Sequence, residues 1–409
     1  MRAAVVGGGL SGLAAALELV DAGHEVTLYE ARPTLGGKVQ TLPANEGDPE
    51  PPPDNGQHIA LGCFTEYLSF LRRLGERGSV RRAPLELPVI DERGRAATIR
   101  PGLASLLRYA HLPLGDRLRI ARLLARLPEP RPGDTFGGLL RRHRQSRAAI
   151  DRFWDVFVRP ALNLRSDEVD AGAALFTIRT GLLGGAGASD LVLPVRPLGD
   201  MHGEAARRAL GAAGATVQTG ARVEDLEGLD ADAVVVATPP EESARLLGEP
   251  APRLAHSPIV SVHLQFDRPL LRETLAALLA SDAHWVFDRG ALTNRRPKGG
   301  GQYLTVVSSG APELMELRGR ELVERVAGQL TERLGRAELL WSRVSREPEA
   351  TIALRPRVER PRAGAVRPGL ARAGAWTAGW PATMENAVRS GRAAARAVLS
   401  DATTRVAAA

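Results

Sequence analysis

Residues 3–12, AAVVGGGLSG, are a short apolar run that leads directly into glycines spaced G-x-G-x-x-G. Residues 13–22 are rich in Ala and Leu, which favours a helix. Residues 25–29, EVTLY, are typical of a second strand, and Glu30 follows at its end. A strand, a glycine turn, a helix and a second strand that ends in an acid together predict a βαβ dinucleotide-binding unit.

Each part of this unit has a physical role. Gly7 allows the tight turn, Gly9 lets a pyrophosphate approach the backbone, and Gly12 lets the helix pack on the strand. The start of the helix, at Leu10 and Ser11, offers free N–H groups and a positive dipole end to phosphates. These five residues are therefore predicted to bind the cofactor.

A second glycine pair follows the acid. Glu30 can accept the two hydroxyls of an unphosphorylated adenosine ribose. Ala31, Gly36, Gly37 and Lys38 complete a run that resembles the E-A-x-x-x-x-G-G-R run of the flavin amine oxidase and phytoene desaturase superfamily. The resemblance implies that FAD is the cofactor and that these four residues help to hold it. Lys38 stands where the superfamily has Arg, which keeps the charge but loses the bidentate fork.

Composition limits the function classes. A chain of 409 residues with 44% hydrophobic residues can form two or three domains. The net charge of +7 arises from scattered basic residues, so we expect no nucleic-acid partner. One cysteine, Cys63, excludes an internal disulfide and a Cys-rich metal site, and no metal is predicted. No stretch outside the amino terminus predicts a spanning helix, so we expect a cytoplasmic protein, soluble or peripheral on the inner face of the membrane.

Residues 54–58, DNGQH, supply the candidate catalytic residues. Gly56 allows a turn close to a ligand. In the superfamily that the chain resembles, a D-x-G loop at this place approaches the flavin, which implies that Asn55, Gly56 and Gln57 contact the cofactor. His58 is our first choice as a proton donor, and Asp54 is the second.

Further cofactor residues are predicted in two later segments. The apolar run 232–240 and the preceding residues 221–224 resemble cofactor-side strands of the superfamily, and they bring Val223, Ala237 and Thr238 to FAD. Residues 374–391 form a Gly/Trp loop that leads into a final helix. Thr383 is a suitable N-cap, and the helix dipole would favour negative charge on a reduced flavin. This segment contributes Gly374, Ala375, Thr383 and Met384, with Ala375 standing where the superfamily usually has Asp.

The middle of the chain is predicted to form a helical cap over the substrate side. Thr135 and Ser146 are placed to begin two of its helices. Phe153, Trp154 and Phe157 form an aromatic stripe that fits either a core or a ligand cage. Other local predictions are a strand at 39–42, a helix over 62–80, a hairpin over 88–100, a half-buried strand over 259–266 and one helix over 313–334.

The predicted fold class is α/β, with a Rossmann-type FAD-binding domain and an α+β substrate domain made of an antiparallel sheet and the helical cap. The FAD-binding domain is expected in three parts, and the substrate domain in two. Their predicted boundaries are 1–80, 189–248 and 366–409 for the first, and 81–188 and 249–365 for the second.

Seven short motifs resemble the hydroxysqualene dehydroxylases, a subgroup of the superfamily. They are DNGQH at 54–58, FW at 153–154, ALN at 161–163, SDL at 189–191, VSVHL at 260–264, WVFDR at 285–289 and GWPATME at 379–385. The resemblance implies that a hydride from reduced flavin replaces the hydroxyl of hydroxysqualene, which leaves as water, to give squalene, a hopanoid precursor. It also implies a hydrophobic isoprenoid substrate, an electron donor that the sequence does not identify and a peripheral membrane contact.

Three other interpretations remain open from the sequence. A phytoene or carotenoid-type desaturase or oxidase would use the same cofactor and a similar apolar pocket. An amine oxidase is disfavoured, because only 4% of the residues are aromatic and no Cys lies near the C-terminus. A catalytically degenerate lipid-binding flavoprotein is the alternative of another class, suggested by Ala375.

Overall fold

The structure, a computed structural model, describes residues 1–297 and 300–408, with side chains described as far as residue 401. Three β-sheets and a helical layer make up the described part of the chain. The first sheet has six strands, of which five are parallel and one is an antiparallel edge strand. In spatial order they are Gly364–Arg367, Leu370–Arg372, Ala233–Val236, Arg2–Val6, Glu25–Glu30 and Thr216–Thr219.

This first sheet confirms the predicted βαβ unit. Arg2–Val6 pairs in parallel with Glu25–Glu30, and the helix Leu10–Asp21 connects the two strands. The final helix, Met384–Ala408, packs against Leu10–Asp21. Fully buried apolar residues of the strands and of both helices form one hydrophobic core. The two ends of the chain are therefore in contact beside the glycine turn.

The second sheet has seven strands and is antiparallel except where Leu87–Ile90 pairs with Leu275–Leu278. In spatial order they are Leu339–Ile352, His256–Phe266, Gln302–Ser309, Trp285–Asp288, Leu275–Leu278, Leu87–Ile90 and Ala96–Ile99. One face packs against the helical cap, and the other packs against the helix Gly319–Leu334. A smaller antiparallel sheet has the order Ala60–Leu61, Leu191–Pro194, Val80–Ala83. The mixture of a parallel sheet and an antiparallel one confirms the predicted α/β class.

The helical cap confirms both predicted N-caps. The Thr135 hydroxyl accepts a hydrogen bond from Gly138 N at 3.1 Å, and the Ser146 hydroxyl accepts one from Ala149 N at 3.0 Å. The helix that begins after Ser146 continues through a π-helical turn and ends at Leu162, before Asn163 in the left-handed conformation. Asn tolerates that conformation better than most residues, so it suits this C-cap.

The other helices of the described residues are short. Their bounds are Thr65–Arg73, Leu103–Arg108, Leu114–Ala125, Phe136–Arg142, Arg147–Ala149, Asp155–Leu162, Ala171–Thr177, Ala205–Ala212, Pro240–Leu247, Arg289–Leu292 and Pro312–Glu316. Three π-helical turns, Ile150–Trp154, Ile178–Leu182 and Asp200–Glu204, and one 3₁₀ turn, Arg77–Ser79, join or extend them.

Several local predictions were wrong in extent or in kind. Residues 39–42 form no strand, because only Thr41 makes a bridge, to Asp54. The stretch 221–224 is outside any strand. The strand predicted at 259–266 is buried on both faces. The helix Gly319–Leu334 covers its apolar face, and Ser261, on the face expected to be exposed, is buried beside Gly56. The helices predicted over 62–80 and 313–334 are each interrupted, the second between Pro312–Glu316 and Gly319–Leu334. The hairpin over 88–100 is confirmed.

Candidate active site

The glycine turn is closely packed on one side and open on the other. Gly7 has a φ of +108°, and a Cβ there would lie 2.6 Å from the Ala237 carbonyl oxygen. A Cβ on Gly12 would lie only 1.8 Å from the Gly7 carbonyl oxygen. A Cβ on Gly9 would meet nothing nearer than the Gly37 Cα at 3.8 Å. Gly7 and Gly12 are therefore required by packing, whereas Gly9 leaves space beside the helix start.

The second glycine pair lies against the first turn. Gly36 N donates to the Gly8 carbonyl at 2.8 Å, and Gly36 forms a parallel bridge with Gly9. Glu30 lies beside this contact, and its carboxylate accepts hydrogen bonds from Gly8 N at 2.6 Å and Arg32 N at 2.8 Å. The two glycine segments thus lie side by side in the wall of one cleft, with a carboxylate at its edge.

The C-terminal segment closes the same cleft. Gly374 N donates to the Ser390 hydroxyl at 3.0 Å, and the Ser390 hydroxyl lies 3.4 Å from that of Ser11. The final helix begins at Met384, so Thr383 is at the N-cap position, although its hydroxyl donates to the Pro381 carbonyl at 3.1 Å. Two helix N-termini therefore lie at one cavity.

A cavity of about 750 Å³ runs between the first sheet, the second sheet and the helical cap. Every residue predicted to bind the cofactor lines it except Gly12, whose role is packing. The predicted residues in its wall are Gly7, Gly9, Leu10, Ser11, Glu30, Ala31, Gly36, Gly37, Lys38, Asn55, Gly56, Gln57, Val223, Ala237, Thr238, Gly374, Ala375, Thr383 and Met384. Residues from remote parts of the chain are thus brought together in the predicted combination.

The two catalytic candidates lie in different environments. His58 lines the cavity and is partly buried. Burial lowers the pKa of His58 to about 4, so the imidazole is neutral near neutral pH. It can donate or accept one hydrogen bond per nitrogen, but it carries no positive charge before a ligand binds.

Asp54 does not line the cavity. Its carboxylate pairs with the Arg289 guanidinium at 2.7 Å, and both side chains are almost fully buried. Asp54 Oδ1 also accepts hydrogen bonds from the Thr41 hydroxyl at 2.6 Å and Leu198 N at 2.9 Å. Burial raises the pKa of Asp54, while the Arg289 charge opposes that shift. Asp54 therefore anchors the base of the loop that carries His58, and the geometry gives it no contact with a ligand in the cavity.

The wall formed by the cap and the second sheet is mainly apolar. Phe153 and Trp154 are both buried in the core, as one of the two predicted alternatives has it, and they also line the cavity. Sequence reasoning did not select the other apolar wall residues, which include Leu85, Val158, Ile178, Trp285, Phe287, Val307 and Ile352. The alternation in residues 285–288, WVFD, could have predicted two of these wall residues, since it places Trp285 and Phe287 on one face of a strand.

Charged residues gather at the end of the cavity near the second glycine pair. Lys38 donates from Nζ to the Glu349 carbonyl, and burial lowers the pKa of its ammonium group. Arg222 and Glu242 line the same cavity and form an ion pair at 3.4 Å. Val223 reaches the wall although residues 221–224 form no strand, because Ala221 N donates to the Glu30 carbonyl at 2.9 Å.

These residues fit a flavin dinucleotide. The open side of Gly9 and the helix start at Leu10 suit a pyrophosphate, while the Glu30 carboxylate suits a ribose. The start of the final helix, at Met384, and the apolar wall suit a ring that carries negative charge when it is reduced. Ala375 offers only backbone here, and its carbonyl accepts a hydrogen bond from Asn386 Nδ2 at 2.8 Å. No group of three or more His, Cys, Asp or Glu in residues 1–297 and 300–408 could hold a metal ion.

The sequence is similar to known flavoproteins over nearly its full length. The family model for flavin containing amine oxidoreductases matches residues 10–399. A hydroxysqualene dehydroxylase of Rhodopseudomonas palustris is 30% identical over 97% of this chain and 98% of its own length. One from Sinorhizobium fredii is 28% identical over 98% and 99%. A zeta-carotene desaturase of Synechocystis is 31% identical, but over only 34% of this chain and 30% of its own length.

Solved structures show the same fold. An oxidoreductase from Methanosarcina mazei superposes with a TM-score of 0.73 at 21% identity, covering 98% of this chain and 100% of its own. Cyclohexylamine oxidase from Brevibacterium oxydans superposes with a TM-score of 0.71 at 17% identity, covering 98% and 99%. These likenesses concern the fold, since the identities are low.

Proposed function

The chain belongs to the flavin-containing amine oxidoreductase family, and from this premise we propose that it reductively removes the hydroxyl of hydroxysqualene to give squalene. The chain is an FAD-dependent oxidoreductase. The observation that carries the narrower proposal is the similarity to two hydroxysqualene dehydroxylases over almost the whole length of both chains. The apolar wall opposite the glycine cleft supports it, because such a wall suits an isoprenoid.

The reaction has a simple balance. The carbon–oxygen bond breaks, a hydride equivalent joins the carbon, and a proton joins the departing oxygen, so that water leaves. When it is bound and reduced, FAD would supply the hydride, which carries the two electrons of the reaction. The electron donor that restores the reduced state must come from outside the chain.

The apolar wall has two tasks in this proposal. It excludes water, so that charge developing on the substrate meets fixed protein groups rather than solvent. It also presents aromatic rings, among them Phe153, Phe157 and Trp285, and such rings attract positive charge through their faces. A carbon that becomes cationic as its hydroxyl departs is therefore stabilised in a dry site.

His58 is the residue that we propose to assist the departing hydroxyl. It is the predicted proton donor that lines the cavity. Because its pKa of about 4 leaves it neutral, its first role is to donate an N–H hydrogen bond to the hydroxyl oxygen. Full proton transfer requires the doubly protonated imidazolium, so His58 must first take up a proton, which a negative charge nearby would favour by raising its pKa.

A carotenoid-type desaturase is the second candidate. The match to a zeta-carotene desaturase favours it, although that match covers about a third of this chain. A desaturase removes hydride from its substrate, so it needs oxidised flavin and no proton donor for an oxygen.

The third candidate is a catalytically degenerate lipid-binding flavoprotein, which Ala375 suggests.

One assay separates these candidates. Purified protein is reduced anaerobically with dithionite, mixed with hydroxysqualene, and analysed for squalene by mass spectrometry. The proposal expects squalene only when the flavin is reduced. His58→Ala should lower the rate by at least about tenfold, because a positioned proton donor is lost. Cys63→Ser, in the same cavity wall, should change the rate little.

Three results would contradict the proposal. A yellow, reducible protein that yields no squalene would exclude the dehydroxylase. Conversion of zeta-carotene by the oxidised protein would favour the desaturase. A colourless protein that stays colourless after FAD is added would favour the degenerate lipid-binding protein. We further propose a position at the membrane surface, where such an insoluble substrate is found.

A further inference from the structure

Exposed large apolar side chains are concentrated in the helical cap. Among the described residues, the six most exposed are Leu103, Leu114, Leu118, Phe176, Leu183 and Leu340, and all but Leu340 lie between residues 101 and 188. Single exposed leucines are ordinary on protein surfaces, whereas several that are neighbours in space can form a contact surface. The described residues contain no helix long and apolar enough to cross a bilayer, so a contact of these helices would be made from outside it.

The helix Leu114–Ala125 has two contrasting faces. Its inner face buries Ile120 and Leu123 in the core of the cap. On its outer face Leu114 and Leu118 are 58% and 53% exposed, and they are neighbours because they are four residues apart. Leu103, on the adjacent short helix Leu103–Arg108, is 59% exposed. More than half of the surface of each of these three leucines is thus left uncovered by the described residues.

Basic residues lie beside these leucines. Arg119, Arg122 and Arg126 are exposed. Arg122 is four residues after Leu118 and so lies next to it on the helix surface, whereas Arg119 lies on the flank of the helix and Arg126 follows its last residue. Asp116, which pairs with Arg119 at 2.6 Å, is itself buried. No exposed acid lies on this helix, so the outer face combines apolar and positive groups.

We infer that this face, made of Leu103, Leu114, Leu118, Arg119, Arg122 and Arg126, docks the protein on an anionic lipid surface. Surface helices with leucines on one side and arginines beside them bind at the headgroup boundary, where the apolar groups enter the acyl region and the cations meet phosphates. A second copy of the chain is a poorer occupant, because a symmetric contact would place like charges opposite each other.

The helix that carries Leu103 ends just before Tyr109, which contacts the cavity wall. Tyr109, between the two helices, is buried and meets Phe153 edge-on at 6.4 Å, and Phe153 lines the cavity. The Tyr109 hydroxyl also donates to the Arg152 carbonyl at 2.7 Å. Phe176, another cavity residue, is 36% exposed. Docking by this face would therefore hold the cavity close to the acyl region of the bilayer, in which an isoprenoid dissolves. The inference deepens the proposed function by naming the surface that acts with the site.

Vesicle binding by the full-length flavoprotein tests the inference without any substrate. We expect sedimentation with vesicles of phosphatidylcholine and phosphatidylglycerol, and at least about tenfold weaker binding to phosphatidylcholine alone. Leu114→Ser combined with Leu118→Ser, and separately Arg122→Glu combined with Arg126→Glu, should each weaken binding by about tenfold or more. Added salt should weaken the binding of the unchanged protein.

Matched controls lie outside the cap. Leu340→Ser changes a leucine of similar exposure, and Arg320→Glu reverses an exposed arginine on another helix. Both should leave vesicle binding unchanged, and unchanged melting temperatures would show that the four docking substitutions leave the fold intact.

Each other outcome overturns the inference. The inference is contradicted if the protein does not bind anionic vesicles. It is also contradicted if the control variants lose as much vesicle binding as the docking-face variants. Concentration-dependent dimers that the leucine substitutions abolish, without vesicle binding, would assign the face to a second copy. Dehydroxylase activity on detergent-solubilised substrate is measured separately, so failure of vesicle binding would leave the proposed reaction standing.

Discussion

Individual glycines decide whether the cofactor cleft can form. Gly12 lies in the helix Leu10–Asp21, where a Cβ would overlap the Gly7 carbonyl. Gly391, in the final helix, is restricted in the same way, since a Cβ added there would lie 2.1 Å from the Ser11 carbonyl oxygen. These two positions let a strand and two helices approach closely enough to bring both helix starts to one cavity.

Gly12→Ala should therefore damage the cleft. The added methyl group must push the helix from the strand, which we expect to cost about 1–3 kcal/mol and to lower FAD content. The absorbance of bound flavin per protein and urea denaturation measure both effects. Gly328→Ala is the control, because a Cβ there meets nothing within 4 Å and should stabilise its helix by up to about 1 kcal/mol. Full flavin content in Gly12→Ala would contradict this account.

At the scale of elements, buried charge ties two walls of the cavity together. The strand Trp285–Asp288 supplies Trp285 and Phe287 to the apolar wall, and Arg289 follows it directly. The Arg289 guanidinium pairs with Asp54, at the start of the loop that contributes Asn55 to His58. The pair therefore sets the position of the substrate wall relative to the flavin loop.

Arg289→Met should be strongly destabilising. It leaves the Asp54 carboxylate buried without its partner, which typically costs about 3–5 kcal/mol. Urea denaturation measures the loss. Arg320→Met removes a pair with Glu324 whose side chains are 88% and 66% exposed, and it should cost less than about 1 kcal/mol. Equal effects of the two substitutions would show that the buried pair has no special role.

At the scale of the whole molecule, burial of neutral histidines makes the fold sensitive to acid. Burial lowers the pKa of His58 and His202 to about 4 and that of His263 to about 3. An unfolded histidine titrates near 6.5, so the unfolded chain binds more protons below that pH. Their contribution to stability is complete above about pH 6.5 and is lost as the pH falls towards 4. Burial raises the pKa of Asp54 and Asp155, which offsets part of the loss.

The melting temperature should therefore fall clearly between pH 7.5 and pH 5. Each of the three histidines contributes a loss of about 2 kcal/mol at pH 5. His202→Gln should reduce the pH dependence, whereas His143→Gln, at an exposed position, should not. Differential scanning calorimetry measures both. A melting temperature that is the same at the two pH values would contradict the assignment of neutral buried histidines.

The sequence by itself determined the features that depend on neighbouring residues. The βαβ unit follows from glycine sterics and hydrophobic period, and the caps at Thr135 and Ser146 follow from hydrogen bonds that span three residues. The fold class and FAD followed from these local patterns together with the resemblance. The predicted exposure of one face of the strand His256–Phe266 was wrong, because Ser261 on that face is buried beside Gly56, which comes from a remote part of the chain.

Only the tertiary structure decided the separation of Asp54 from His58. They are four residues apart in one motif, yet His58 faces the cavity while Asp54 pairs with Arg289, 235 residues away. The apolar wall was likewise assembled from the cap and the second sheet. A long-range ion pair or cavity depends on which remote surfaces meet, and that depends on the packing of the whole chain rather than on local preference.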